Sequence, residues 1–369
     1  MTATDLVVAG GGPAGLATAI RARMCGLRVV VLDPLKPPVD RACGEGLMPD
    51  GLERLEELGI DTRRIESMPF FGVRYFEAGL MVEGRFPDKP GRGIRRTRLH
   101  QALVARAEAL GVDLRWGIRV TELDDGGFNT TDGPVQAGWL VGADGRTSRV
   151  RRWAGLEGRR SQGRRIGLRR HYEVEPWSEL VEVYWADGCE AYVTPVGERL
   201  VGVAMLGDGV GADFDQMLAR FPELQGRIAS SPVASRDRGA GPFQQRSRKV
   251  VRGNLALVGD ASGSLDPISG EGLALSFHQA FAVVDAVLSG DLGRYAAAHR
   301  KIVRFPRAIT RLLLLIEGRP RLRHRVMRSL SHDPTLMSRF LALRMRPGGR
   351  RVIGGGGLIS LSVAALWGR

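Results

Sequence analysis

The sequence predicts an α/β fold: a domain built on a strand–turn–helix–strand unit, interleaved with a β-sheet domain and followed by a basic helical segment. Three observations predict it. Residues 5–33 read strand, glycine turn, helix, strand. Two later apolar runs, at 139–142 and 255–258, each deliver an aspartate beside a glycine. From residue 161 to 249 the pattern changes to alternating strands such as Leu180 to Trp185, Glu190 to Thr194 and Leu200 to Met205, as in a sheet covered on one face.

The first strand is Leu6-Val7-Val8-Ala9, and Gly10-Gly11-Gly12-Pro13-Ala14-Gly15 follows it. Gly10, Gly12 and Gly15 have G-x-G-x-x-G spacing, and a helix is expected through Arg23. Gly10 suits a tight turn, Gly12 a close approach of backbone to pyrophosphate, and Gly15 close helix–strand packing. The helix N-terminus offers free N–H groups and the positive end of its dipole to phosphate. A second strand, Val29 to Asp33, ends in an acid 23 residues after Gly10, suited to a ribose 2′-OH. The bland alternative is a glycine-rich turn that binds nothing, and the motif alone does not separate NAD from FAD.

The second motif is Trp139-Leu140-Val141-Gly142-Ala143-Asp144-Gly145, with Arg146 to Arg151 after it. The third is Leu255-Ala256-Leu257-Val258-Gly259-Asp260-Ala261, followed by Pro267, Gly270, Glu271, Gly272 and a helix to Leu288. Asp260, at a strand end, suits a polyol hydroxyl. The Pro/Gly turn would aim N–H donors at electron-rich ring atoms. The bland alternative for Asp144 and Asp260 is capping of the segment that follows.

In this order the three motifs resemble the large flavoprotein superfamily of single-component aromatic hydroxylases, geranylgeranyl reductases and flavin-dependent halogenases, over residues 1–290. The resemblance implies a Rossmann-type FAD-binding domain at 1–65, 94–160 and 250–290, and a substrate domain at 66–93 and 161–249. A basic helical segment, 291–369, completes the chain. Gly10, Gly12, Pro13, Ala14, Gly15 and Asp33 would hold the ADP half of FAD. Arg41 and Arg96 would lie on its pyrophosphate side and Val120 near the adenine. Asp144 would serve FAD and the reducing pyridine nucleotide. Gly259 and Asp260 would face the ribityl chain, and Pro267, Gly270 and Gly272 the ring system. No second strand–GxGxxG–helix unit exists, so NAD(P)H is expected as a transient reductant.

The segment Arg41-Ala42-Cys43-Gly44-Glu45-Gly46-Leu47-Met48-Pro49 is similar to a Cys-Gly-rich segment of the isoprenoid reductases, which makes Cys43 and Glu45 the catalytic candidates. For Cys43 the bland alternative is a small buried hydrophobe. Glu190 to Pro195 is similar to a degraded form of the reductases' aromatic substrate motif. Trp185, Tyr192 and Pro195 are the substrate-lining candidates. The halogenase branch is set aside, because residues 68–86 hold no lysine and no Trp-x-Trp-x-Ile-Pro occurs. A monooxygenase needs a dry, shaped pocket more than acid–base residues, so the lack of a Ser-His-Asp set or a metal cluster in the sequence is no objection. His171 and His278 read as structural histidines without partners, and Gly207 to Gly211 as a loop.

Composition bounds the rest. At 369 residues, 43% hydrophobic and 25% charged, the chain can bury a large core. Its net charge of +14 is confined: residues 1–293 carry 37 basic and 38 acidic residues, and 294–369 carry 17 and 2. Fifty of the 54 basic residues are arginine, a bias that reads first as genomic. Six arginines between Arg159 and Arg170 have no aromatic platform beside them, so no nucleic-acid partner is expected. Cys25, Cys43 and Cys189 form no CxxC pair, which fits a reducing cytoplasm. The first apolar run leads into glycines, so no cleaved leader is expected. Arg300, Arg304, Arg307 and Arg311 share one helical face, Pro306 should kink that helix, and Leu358 to Trp367 is a short apolar tail. Residues 294–369 are therefore expected to touch an anionic membrane surface, placing a cytoplasmic protein peripherally on the inner face. The alternative is helices packed on the body with solvated arginines.

The reading is an FAD-dependent oxidoreductase acting on a lipophilic small molecule. A monooxygenase that hydroxylates or epoxidises a phenolic, polyketide or isoprenoid substrate comes first. A geranylgeranyl-reductase-like reduction of isoprenoid double bonds is the alternative, and electron transfer to quinone the third.

Overall fold

The computed structural model describes residues 4–124, 126–158, 163–209 and 213–345. Six strands form one sheet in the order Val251–Arg252, Leu255–Leu257, Trp139–Gly142, Leu6–Ala9, Val29–Asp33, Asp113–Trp116. Every neighbouring pair is parallel except the first, which is antiparallel. Parallel strands need crossovers, and the helix Pro13–Met24 supplies the one between Leu6–Ala9 and Val29–Asp33. Both faces are covered, which explains the unbroken apolar runs. Leu6 and Val8 pack with the helices Pro13–Met24 and Gly272–Leu288. Val7 and Ala9 pack with Phe128, Val150 and Leu156 on the other face.

A seven-stranded sheet has the order Arg238–Ala240, Arg165–Tyr172, Leu200–Asp208, Cys189–Gly197, Val181–Ala186, Gly72–Glu77, Leu80–Arg85. Period-2 alternation splits its residues between faces. Cys189, Ala191 and Val193 enter a core with Phe214, Met217 and Leu224. Glu190 and Tyr192 turn to the opposite face, where Tyr192 meets Ile268. The loop expected at Gly207 to Gly211 is corrected in part, because Gly207 and Asp208 end the strand Leu200–Asp208. Residues 210–212 lie outside the described residues, as do 159–162 of the arginine run.

The C-terminal segment is helical, as expected. Its helices Leu292–Glu317, Pro320–His332 and Pro334–Met345 pack on the body, the arrangement given above as the alternative. Ile309 and Leu313 are buried against Ile268, while Met327, Met337 and Leu341 are buried against Val82 of the seven-stranded sheet. Arg323 anchors the second helix, almost fully buried between Glu77 (3.3 Å) and Asp187 (2.7 Å). The first helix runs through Pro306 as one element, with Arg300, Arg304, Arg307 and Arg311 exposed along it. The apolar tail lies outside the described residues. Among the described residues no helix is long and apolar enough to cross a membrane.

His299 on this helix is buried, with its Nε2 2.9 Å from Ser262 Oγ. Burial, then the charges of Arg307 and Arg300, push its pKa down from 6.5 to about 4. The folded value lies below the unfolded one, so the unfolded chain binds the extra proton as pH falls through this window. Native stability should therefore drop between pH 6.5 and 4, by about 3 kcal/mol from this group. Urea unfolding at the two ends of the window should show a smaller drop in His299→Gln.

Candidate active site

The three motif strands lie side by side, so their loops meet at one crevice beyond the carboxyl ends of the sheet. The protein itself dictates three of the glycines. Gly10 has φ +116°, and a Cβ there would lie 2.4 Å from the Ala143 carbonyl oxygen. A Cβ on Gly15 would lie 1.8 Å from Gly10 O. Gly259, at φ +58°, would place its Cβ 2.6 Å from that of Ala14, which joins the third motif to the first. Gly12 differs: its φ is an ordinary −75°, and a Cβ there meets nothing within 4 Å. Pro13 opens the helix, where its missing N–H costs nothing.

The Asp33 carboxylate accepts from Gly11 N (2.7 Å) and Leu35 N (2.8 Å), ordering the glycine turn. The other side of that turn is held by His100, fully buried, whose Nε2 meets Gly11 O at 2.8 Å. Burial lowers its pKa, which keeps the imidazole neutral. A single histidine on a helix gave the sequence reading nothing to notice.

Asp144 accepts from Ser148 Oγ, Arg149 N (2.7 Å) and Val150 N (3.1 Å), so it caps the helix Arg149–Trp153. Capping, the bland alternative, describes this residue. Asp260 is not engaged in that way. Its carboxylate is exposed to the crevice although it lies deep in the molecule; burial raises its pKa, against the pull of Arg146, Arg96 and Arg151. Arg151 was not singled out from the sequence, yet it fastens two motif loops together. It donates to Ala261 O (3.0 Å) and to Arg146 O (2.9 Å).

Arg96 begins the helix Arg96–Ala109. Its Nη1 is buried with no hydrogen-bond partner among the described residues. Burial lowers its pKa, and Cys43, Asp260 and Glu45 oppose that shift. A buried donor without a partner costs free energy unless an acceptor arrives. Arg41 is exposed at the rim, close enough to act on both Arg96 and Arg146. Val120 opens the strand Val120–Asp124, half-buried beside the core. Pro267 begins a turn capped by Asp266, Gly270 takes φ +68°, and Gly272 starts the following helix with open space at its Cβ position. Open backbone at Gly12 and Gly272, a helix N-terminus and the unpaired Arg96 donor fit a dinucleotide diphosphate with an attached ring system.

Cys43 is half-buried, its Sγ accepts from Glu45 N (3.3 Å), and burial pushes the thiol pKa up. Glu45 is 3% exposed and adopts φ +59°, a left-handed conformation costing about 1–3 kcal/mol for a residue with a side chain. Its Oε1 accepts from Arg96 N (2.8 Å) and its Oε2 meets His171 Nε2 (2.6 Å). Both oxygens are thus engaged by the protein. The expectation that His171 and His278 lack partners is corrected. His171 binds Glu45 and Ser235, and His278 accepts from Arg54 (3.1 Å).

Trp185 and Tyr192 share one face of the seven-stranded sheet, opposite Ala191 and Val193, both partly accessible. Trp185 packs on Tyr75 with ring centroids 5.0 Å apart, and Tyr192 donates to Ile268 O (3.2 Å) in the turn after the third motif. Pro195 is buried, with its carbonyl against Gly93, so it packs the wall without opening onto this face. Beneath the aromatics Arg165 meets three carboxylates: Glu190 (2.7 Å), Asp266 (3.1 Å) and Glu317 (3.2 Å). Burial raises the Glu190 pKa to about 7, against the pull of Arg165.

Comparison with known proteins agrees with this geometry. The FAD binding domain family model matches residues 3–192, and the chain belongs to that family. It is similar to a menaquinone reductase of Mycolicibacterium smegmatis, 26% identical across 80% of this chain and 79% of that protein. It is equally similar to a para-nitrophenol 4-monooxygenase of Pseudomonas sp., 26% identical across 95% and 98%. A flavoprotein/dehydrogenase structure from Cytophaga hutchinsonii superposes with a TM-score of 0.81 at 18% identity, covering 98% of each chain. The protein is an FAD-dependent oxidoreductase of the aromatic-hydroxylase and geranylgeranyl-reductase superfamily, with the α/β fold expected of it.

Proposed function

We propose that this protein is an NAD(P)H-dependent FAD monooxygenase that hydroxylates or epoxidises a lipophilic small molecule. The observation that carries the reading is an apolar wall beside the turn that follows the third motif. Tyr75, Trp185, Tyr192, Ile268, Phe305 and Phe340 form connected apolar clusters between the seven-stranded sheet and the C-terminal helices. Arg165, the guanidinium nearest Tyr192, is fully engaged by carboxylates. Such a wall excludes water, and Arg165 beside it is not free to meet an anionic substrate.

In this reading the residues at 1–65, 94–160 and 250–290 hold the cofactor, and those at 66–93 and 161–249 roof the substrate. Gly12 and the helix N-terminus after it, with Arg96 and Arg41, would hold the diphosphate. Asp33 would accept from the adenosine ribose and Val120 would pack near the adenine. Asp260 would accept from the ribityl hydroxyls, and the Pro267–Gly272 turn would lie against the ring. When bound, FAD supplies hydride acceptance from NAD(P)H and activation of oxygen. The chain's own part is to orient the two reactants, keep the pocket dry and hold protons at the Cys43 thiol and Tyr192 hydroxyl.

A specific observation favours a second reading. The Cys43 thiol is held in its protonated form within range of Arg96, as a reductase delivering a proton opposite a hydride requires, and one relative is a menaquinone reductase. Turnover of hydrophobic phenols and a polyprenyl alkene with NAD(P)H under ¹⁸O₂ separates the two. One ¹⁸O atom in the product supports the monooxygenase. Anaerobic saturation of the alkene supports the reductase, and electron transfer to quinone alone overturns both.

The exposed row Arg300, Arg304, Arg307 and Arg311 has no acidic partner among the described residues and supports contact with an anionic membrane surface from the cytoplasmic side. Co-sedimentation with anionic vesicles should occur at low salt and fall as salt rises. No binding at low salt would refute the contact.

A further inference from the structure

Two buried groups and a half-buried serine outside the crevice form a continuous line. Ser235 lies in a surface depression with Arg170, Val233, Ala234, Arg236 and Asp237. Its Oγ is 2.8 Å from His171 Nδ1, and His171 Nε2 is 2.6 Å from Glu45 Oε2. His171 is fully buried and Glu45 nearly so, so water does not replace the link between them. Glu45 in turn belongs to the loop that carries Cys43, and it holds the first backbone N–H of the Arg96–Ala109 helix. We propose that Ser235, His171 and Glu45 form a proton path from the solvent-filled depression to the cofactor side of the crevice. This inference rests on the flavin reading above.

The partners of His171 select its tautomer. Arg169 Nη1 approaches Nδ1 at 3.1 Å and can only donate, so Nδ1 accepts and Nε2 carries the proton aimed at Glu45. Arg169 is itself paired with Asp40. Arg169 Nε also lies 3.9 Å from Glu45 Oε1; Arg238 on Asp40, Arg96 and the Cys43 thiol are further titratable neighbours, and the Leu200–Asp208 strand brings Gly202 against Glu45. For inward transfer, Glu45 takes the Nε2 proton, Nδ1 takes the Ser235 hydroxyl proton, and water in the depression reprotonates Ser235. Glu45 then releases its proton to the base formed in the crevice. One proton enters from water and each path residue regains its charge; outward transfer of a proton restores the tautomer. A merely structural network would not need an imidazole with one nitrogen on each side of the line. Nor would it need a residue with a side chain held at positive φ to keep the carboxylate in register.

The test is anaerobic photoreduction of the FAD-loaded protein in weak buffer, with a pH-indicator dye reporting proton uptake. His171→Gln keeps a donor for Glu45 but cannot take a proton at one atom and release it from another. Ser235→Ala breaks the outer link. Each should slow uptake by about tenfold or more, with FAD content and the flavin spectrum unchanged. Added imidazole should restore uptake in His171→Gly. Uptake at the wild-type rate in both His171→Gln and Ser235→Ala overturns the path and leaves the flavin reading standing. Slowing that only tracks loss of FAD overturns it in favour of a structural role. A wild-type protein that takes up no flavin overturns the reading and the path together.

Discussion

Gly12→Val is expected to leave the protein folded and to strip it of FAD. Gly12 has an ordinary extended backbone, and a Cβ there meets nothing within 4 Å, so no protein atom demands glycine. What demands it in this account is a diphosphate lying on the bare backbone. The valine side chain would occupy that approach and weaken FAD binding by about 100-fold or more, equivalent to about 2.7 kcal/mol. The folded protein itself should lose no more than about 1 kcal/mol, from a poorer helix cap. Gly15→Ala is the contrasting control, because its Cβ would sit 1.8 Å from Gly10 O and force helix and strand apart. Melting temperature and retained FAD should therefore separate in one variant and fall together in the other. Equal loss of melting temperature in both would contradict the assignment of Gly12 to the ligand.

Arg165→Met is expected to be the most destabilising single change outside the glycine turn. Arg165 joins four elements through Glu190, Asp266 and Glu317, whose side chains are at most 7% exposed. Removing the cation leaves three buried carboxylates facing one another, and breaking such a set costs about 4 kcal/mol or more. The sign of the pH dependence follows. Without Arg165 the three acids protonate more readily in the native state than in the unfolded chain. Their folded pKa values then exceed the unfolded ones, and stability is lost as pH rises. Urea unfolding should show the largest deficit at pH 8 and a partial recovery at pH 5, with Glu190→Gln reducing the deficit. A loss below about 1 kcal/mol at pH 8 would mean the cluster is hydrated and not a buried clasp.

The cofactor crevice was legible because its requirements are local. Gly10 and Gly15 are dictated by backbone approaches within a few residues or across one neighbouring strand, and the apolar runs before each motif reveal a parallel sheet buried on both faces. Asp144 was harder, since a capping acid and a ligand-binding acid have the same sequence signature. The polar networks were not legible at all. His171 and Glu45 are 126 positions apart, and Arg165 and Asp266 are 101 apart. No pattern in the chain announces that such residues meet. The C-terminal segment was legible as basic helices but not in its packing. Most of its arginines dominate the charge count from the exposed side, while Ile309, Leu313, Met327 and Leu341 pack against the body.

Titration of the apoprotein with FAD, for the wild type and for Asp260→Ala, tests the central claim most directly. Asp260 presents its carboxylate to the crevice at the end of the third motif strand, with Arg96 and Arg146 close by. The account predicts one FAD per wild-type chain and binding about 10- to 100-fold weaker in Asp260→Ala, the loss of charge-assisted hydrogen bonds to a polyol. A wild-type chain that binds no FAD, or an Asp260→Ala chain that binds it equally well, would contradict the site described here.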